Sequence, residues 1–178
     1  GTASAIVAAG GDSWYFLTAD YAFGHDLEAQ ASAVVKQKGG KVAGSVRVPL
    51  NTSDFSSFLL QAQASKAKVI GLANAGGDTI NSIKQAAEFG VVQRGQKLTG
   101  LLVSITDVHS LGLQTAQGLM YTDAFNWDRN EASRAFGQIG RYGNAGAAHL
   151  RFEPELLRSR KGLGQPVGHL GKFKGNLP

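Results

Sequence analysis

Apolar and polar stretches alternate along residues 13–90 in a repeated order of short apolar run, turn and amphipathic segment. A strand that returns to its own sheet in parallel needs a connection of about a dozen residues, which a helix supplies. The order is therefore typical of an α/β fold with an open, mostly parallel sheet and helices on both faces. Strands are predicted at 14–19, 41–48, 68–73, 97–103 and 117–124, with helices at 2–9 and 26–38, around Phe55 to Ala62, around Ile80 to Phe89, and before Leu111.

Turn-forming residues set the predicted limits of these elements. Gly39-Gly40 ends the helix of 26–38, and Pro49 stops the second strand. Asn51 to Asp54 supply candidate N-caps for the next helix, and Asp78 or Thr79 is predicted to cap the one after it. In such folds ligands bind at the edge of the sheet beyond the carboxyl ends of the parallel strands. We therefore expect functional residues in the loops that follow the strands.

Composition divides the chain of 178 residues into two parts. Hydrophobic residues make up 43% and charged residues 17%, values typical of globular proteins, and no apolar run approaches the roughly 20 residues of a membrane span. Eight basic and two acidic residues follow position 133, so the net charge of +5 comes from the end of the chain. We predict a folded domain over 1–133 and a poorly ordered, glycine-rich basic tail over 134–178, with no nucleic acid as a partner.

The residues that usually carry catalysis or metal binding do not form recognisable sets in this sequence. The absence of cysteine excludes disulfides, thiolate metal sites and cysteine nucleophiles. The four histidines lack metal-type spacing, and no Gly-x-Ser-x-Gly motif marks a serine nucleophile. Gly76-Gly77 lacks the spacing of a phosphate-binding loop, and Asp78 beside it would repel phosphate. We therefore expect no catalytic residue, no metal and no cofactor.

Polar and aromatic residues cluster in the loops that follow the predicted strands. Tyr21 and Phe23 follow the first strand, Asn74 the third, and Thr106 and Asp107 the fourth. An apolar wall with a few convergent polar groups is what a cleft for a small organic ligand needs. The alternative interpretation is that Phe23 anchors its loop in the core and that the polar residues only cap helices.

Five motifs follow one another over about residues 1–133. They are Trp14-Tyr15-Phe16-Leu17-Thr18-Ala19-Asp20-Tyr21-Ala22-Phe23-Gly24, Leu50-Asn51-Thr52-Ser53-Asp54-Phe55-Ser56, Asn74-Ala75-Gly76-Gly77-Asp78-Thr79, Ile105-Thr106-Asp107-Val108-His109 and Gln117-Gly118-Leu119. In order and spacing these motifs resemble the periplasmic solute-binding proteins of ABC transporters, of branched-chain amino-acid or leucine-binding-like type. The resemblance is to the subgroup for aromatic and other organic acids in particular.

The resemblance implies a two-lobed protein that closes over its ligand, with this chain supplying mainly the second lobe. It also implies a small-molecule ligand, a membrane permease as partner, no insertion into the membrane, no enzyme activity and a periplasmic location. No secretory signal is readable at the start of the chain. We expect that part of the first lobe is missing ahead of Gly1. The tail from about Gly137 does not resemble the family, and a gene fragment that ends in a shifted reading frame would explain it.

The resemblance also assigns ligand-binding positions. Phe23 holds the place of an aromatic residue that contacts ligand, and it lacks the hydroxyl of the tyrosine often found there. Asn74 and Ala75 match the loop after the third strand, where other members carry a tyrosine. Thr106 and Asp107 match the loop after the fourth strand, where amino-acid binders place a carboxylate for the ligand ammonium. Asp107 fills that role, or else Thr106 indicates a carboxylic acid without an ammonium, which we favour.

A second hypothesis comes from another functional class. The same strand and helix order fits a stand-alone enzyme or regulatory domain of flavodoxin-like architecture, with Asp20 or Asp78 at a working strand end. A cluster of carboxylates at the strand ends would favour chemistry, whereas an open face lined by aromatic and amide groups would favour binding.

Overall fold

The computed structural model describes residues 1–112, 114–122 and 130–135. Its helices and strands follow one another in the alternating order that the sequence predicts. They are α1 (Thr2–Ala8), β1 (Ser13–Ala19), α2 (Ala22–Gln37), β2 (Lys41–Val48), α3 (Ser56–Ala64), β3 (Val69–Ala73), α4 (Gly76–Glu88), β4 (Lys97–Gly100) and α5 (Ile105–Leu111).

The four strands form one parallel sheet in the order β2-β1-β3-β4. β1 pairs with β2 on one side and with β3 on the other, so it lies inside the sheet. The chain passes from β1 to β2 in one direction and then returns past β1 to β3, with a helix in each connection. The predicted α/β class with an open parallel sheet is confirmed.

Helices cover both faces of the sheet, and side chains alternate between two apolar clusters. On one face Trp14 and Phe16 of β1 pack with residues of α1 and α2 such as Ile6 and Val35. On the other face Leu17 belongs to a larger cluster with residues of α3, α4 and α5. All five residues of β3 are buried, as expected for a strand covered on both sides.

β2 is an edge strand, and its pairing with β1 contains an irregularity. Trp14 pairs with Val42 and Tyr15 pairs with Gly44, so Ala43 has no partner residue in β1. Such a β-bulge adds one residue to a strand and increases its local twist.

Three predicted limits were wrong. α2 begins at Ala22 rather than near Asp26, and α4 begins at Gly76 rather than after a cap at Asp78 or Thr79. Both helices follow residues with extended backbone at their N-cap positions that make no side-chain cap bond. β4 ends at Gly100 rather than Val103. The chain folds back after Gly100, so that a Cβ atom on Gly100 would lie 2.1 Å from Cγ2 of Val103.

The strand predicted at 117–124 is also wrong as an extended element, and within 114–122 only Met120 pairs with the sheet. Met120 forms a single parallel bridge with Thr99 on the outer side of β4. Its N–H donates to the Leu98 carbonyl at 3.0 Å, and its carbonyl accepts from the Gly100 N–H at 3.0 Å and the Thr99 hydroxyl at 2.8 Å. The Thr122 hydroxyl then bonds to the Thr2 hydroxyl of α1.

A second compact unit of the chain contributes residues 130–135 to the description. They form a helical turn in which the Ser133 N–H donates to Asn130 Oδ1 at 2.8 Å and the Asn130 N–H donates to Ser133 Oγ at 2.9 Å. The prediction of a poorly ordered tail falls almost wholly outside the described residues.

A charged side chain ties β1, α2 and β2 together. Glu28 of α2 accepts hydrogen bonds at one oxygen from the Thr18 hydroxyl at 2.6 Å and from Arg47 at 2.7 Å. Thr18 is fully buried, and the Glu28 side chain is 13% exposed. By contrast, both side chains of the ion pair between Lys68 and Asp12 are more than half exposed.

We expect Glu28→Ala to lower the free energy of unfolding by about 1 to 3 kcal/mol, because the buried Thr18 hydroxyl loses its acceptor. Asp12→Ala removes an ion pair that water already screens, so it should change the free energy little. Urea denaturation followed by circular dichroism measures both. Equal losses in the two variants would contradict the assignment of Glu28 as a tie between elements.

Candidate functional site

The parallel register brings the loops after the four strands to one edge of the sheet. We call this edge the carboxyl rim and define it as residues 20–24, 49–52, 74–78 and 101–107. The loops after β1 and β3 are neighbours at its centre. The chain leaves β1 toward β2 and leaves β3 toward β4, so these two loops flank the switch in strand order at which open α/β sheets bind their ligands.

Tyr21 and Phe23 stand together at the start of α2. Tyr21 is the N-cap, in extended conformation, and the centroids of the two rings are 5.8 Å apart. Gly24 is buried, and a Cβ atom at this position would lie 2.2 Å from the Ala19 carbonyl oxygen. The first turn of α2 can therefore pack against the end of β1 only if residue 24 is glycine. Phe23 is 40% exposed and does not anchor the loop in the core.

The loop after β2 is fixed to the start of α4. Asn51, with a φ of 59°, donates its backbone N–H to Asp78 Oδ2 at 3.2 Å, and the Thr52 hydroxyl donates to the Pro49 carbonyl at 2.6 Å. Leu50 at the tip of this loop is 50% exposed. These bonds hold an apolar side chain at the rim.

Asn74 lies inside the protein. It is 1% exposed, its Oδ1 accepts from the Thr79 hydroxyl at 2.8 Å, and its amide nitrogen donates to Ser82 Oγ at 3.3 Å. Both ends of the side chain therefore bind α4 and hold the loop after β3 in place. Ala75, the N-cap of α4, is half-buried, and a Cβ atom at Gly76 or Gly77 beside it would meet nothing within 4 Å.

Asp107 belongs to a capping box at the start of α5. Its Oδ2 accepts from the Ser104 N–H at 2.8 Å and from the Ser104 hydroxyl at 2.8 Å. Thr106 is exposed, with its Oγ1 2.6 Å from Ser104 Oγ. The carboxylate is thus engaged by its own helix, whereas Thr106 lies at the surface.

Exposed apolar side chains are concentrated at the rim. Of the four large hydrophobic residues exposed in the described part of the chain, Phe23, Leu50 and Leu102 lie there, and Leu60 lies on α3. Leu102 was not predicted as a site residue, because the run Leu101-Leu102-Val103 has the apolar pattern of a strand. Exposed apolar side chains on three of the four loops at this edge are available to an apolar ligand.

Carboxylates at the rim each have a local partner rather than one another. Asp20 Oδ1 is 2.9 Å from His25 Nε2, while Asp78 and Asp107 accept the bonds described above. Among the described residues, no group of three or more histidine and acidic side chains could hold a metal ion. The rim thus presents an apolar face with single polar groups, the arrangement expected for binding.

Comparison with family models tests the resemblance that the loop motifs predict. The model of the family described as periplasmic binding protein matches residues 1–145. The chain belongs to this family. The resemblance predicted from the loop motifs is confirmed. No curated protein matches the chain.

Solved structures of periplasmic binding proteins match the chain closely in fold. One from Burkholderia mallei is 59% identical with a TM-score of 0.72, over 80% of this chain and 38% of its own. A branched-chain amino acid ABC transporter ligand-binding protein from Burkholderia xenovorans is 38% identical, with a TM-score of 0.74, over 79% of this chain and 38% of its own. An ABC transporter solute-binding protein from Rhodopseudomonas palustris, in complex with p-hydroxybenzoic acid, is 26% identical with a TM-score of 0.70. The match covers 80% of this chain and 40% of that protein.

The chain therefore spans about two fifths of the length of these relatives. Within the described residues, no helix is both long and apolar enough to cross a membrane.

We expect Asn74→Ala to act on stability. The Thr79 hydroxyl loses its buried acceptor, so the free energy of unfolding should fall by about 1 to 3 kcal/mol. Asn81→Ala, the same change at a half-buried position of α4, is the control and should have little effect. Thermal and urea denaturation measure both. An Asn74→Ala variant as stable as the parent would contradict the positioning role.

Proposed function

We propose that this chain supplies one lobe of the substrate-binding component of an ABC transporter, and that a small amino acid or organic acid binds against its carboxyl rim. The observation that carries the proposal is the collection of Phe23, Leu50 and Leu102, all exposed, at the rim of a parallel sheet. Family membership and the solute-binding relatives support it. The lobe is assigned to residues 1–133 and the basic tail to 134–178.

We assign this lobe a transport role in the periplasm, with a membrane permease as the partner that receives the ligand. The family is named for periplasmic binding, and its relatives here are transporter components. The proposed function is not enzymatic and uses no cofactor, and nucleic acid is not a partner. No contact of the described residues favours the flavodoxin-like enzyme, since Asp20 and Asp78 each bind a neighbouring loop or helix group.

Tyr21, Phe23, Ala75 and Thr106 are proposed to line the ligand site, and Asn74 and Asp107 to act through their loops. Two hydrogen bonds from Ser104 occupy the lone pairs of Asp107 Oδ2, so this oxygen has none left for a ligand ammonium, which supports a ligand without an ammonium group. The complex of a relative with p-hydroxybenzoic acid agrees with this preference.

We expect weak or undetectable binding by this chain in calorimetry with leucine and with benzoate. One lobe covers a ligand from one side only, so water keeps access to the other side and the apolar area removed from water is small. Dissociation constants in the micromolar range for either compound would show that the rim alone suffices.

Phe23→Ala should weaken binding of 4-hydroxybenzoate by about 1 to 3 kcal/mol, because the ring supplies apolar contact area. Leu60→Ala is the matched control, since Leu60 is exposed at 54% but lies on α3. Nuclear magnetic resonance titration measures weak affinities for both variants. Unchanged affinity together with a lower melting temperature in Phe23→Ala would instead assign the ring to stability.

A further inference from the structure

The direction of the hydrogen bonds around Ser104 can be worked out atom by atom. A serine hydroxyl has one proton and two lone pairs, and an ionised carboxylate can only accept. Ser104 Oγ donates to Asp107 Oδ2 at 2.8 Å, so its single proton is committed. The Asp107 N–H donates to Ser104 Oγ at 3.4 Å and occupies one lone pair.

This arrangement fixes the proton of Thr106. Thr106 Oγ1 is 2.6 Å from Ser104 Oγ, and one of the two oxygens must donate to the other. Because the proton of Ser104 points to Asp107, Thr106 is the donor. The only proton of Thr106 is thus committed to Ser104, and the hydroxyl oxygen of this exposed residue has lone pairs alone to offer a ligand.

We propose that Thr106 selects the ligand by accepting a hydrogen bond from a donor group, and that this donor is the hydroxyl of an aromatic hydroxy acid. The inference rests on the proposed function, whose rim it deepens. The exposed ring of Phe23 and the side chain of Leu102 give the same rim an apolar surface for an aromatic body. A ligand carboxylate can only accept hydrogen bonds, so it would not bond to the Thr106 oxygen. We therefore place the carboxylate of the ligand away from Thr106.

Hydroxyl and ammonium groups share this donor chemistry. The hydroxyl is favoured because Asp107 Oδ2, on the carboxylate nearest in sequence to Thr106, already accepts two bonds from Ser104. A neutral donor needs no opposite charge beside it, whereas an ammonium does.

The test is a titration of the full, isotope-labelled chain, followed by amide resonances, with three probes in the millimolar range. These are 4-hydroxybenzoate, benzoate and 4-methoxybenzoate, in which methylation removes the donor and keeps the ring and the oxygen. One net hydrogen bond corresponds to a preference of roughly 2- to 12-fold, so 4-hydroxybenzoate should bind that much more tightly than either other probe. The amides of residues 104–107 should shift.

Two variants link the preference to one oxygen atom. Thr106→Val keeps the shape without the hydroxyl and should bring the three dissociation constants together. Thr106→Ser keeps the hydroxyl and should retain the preference. Circular dichroism checks that both fold. A preference that survives Thr106→Val, or equal binding of 4-hydroxybenzoate and 4-methoxybenzoate to the parent chain, would overturn the inference and leave the proposed function standing.

Two further outcomes separate the inference from its foundation. If none of the acids shifts any rim resonance at the millimolar concentrations that detect the weak binding expected of one lobe, the proposal of a ligand at this rim fails and the role of Thr106 falls with it. Leucine serves as the ammonium-bearing probe. Stronger binding of leucine than of 4-hydroxybenzoate, lost in Thr106→Val, would support the acceptor role of Thr106 but overturn the assignment of the donor to a hydroxyl.

Discussion

The pairing of β1 on both sides with strands of the same direction is the constraint on which the remaining structure depends. A parallel neighbour can be reached only through a crossover, so a helix must lie between each pair of strands. The close pairing of β1 with β3 needs Gly71, where a Cβ atom would lie 2.7 Å from the Phe16 ring. With this contact in place, the loops that begin at Asp20 and Asn74 become neighbours.

Much of this fold could be predicted from periodicity, and the errors have local physical causes. Strands β1, β2 and β3 were readable because their apolar runs end at turn residues. The start of α2 was missed because tyrosine is not a residue type that usually caps a helix. The close approach of Gly24 to the Ala19 carbonyl, which explains why the helix begins there, is visible only in the structure. Met120 pairs through its backbone, which leaves no pattern in the side chains.

The candidate site was predictable in position and only partly in detail. Strand order places Tyr21, Phe23, Ala75 and Thr106 at one edge, as the sequence pattern indicates. The orientation of polar groups depends on tertiary partners, so the burial of Asn74 between Thr79 and Ser82 could not be foreseen. The spacing of Ser104 and Asp107 is a capping-box signature, and it could have identified the role of that carboxylate in advance.

The bulge at Ala43 has a consequence for association between copies of the protein. Among the described strands β2 forms an edge of the sheet, and a sheet edge offers unpaired N–H and carbonyl groups to any other strand. The extra residue interrupts the regular spacing of these groups. Two identical edges brought together would meet mismatched hydrogen bonds at the bulge, which disfavours growth of the sheet from one molecule into the next.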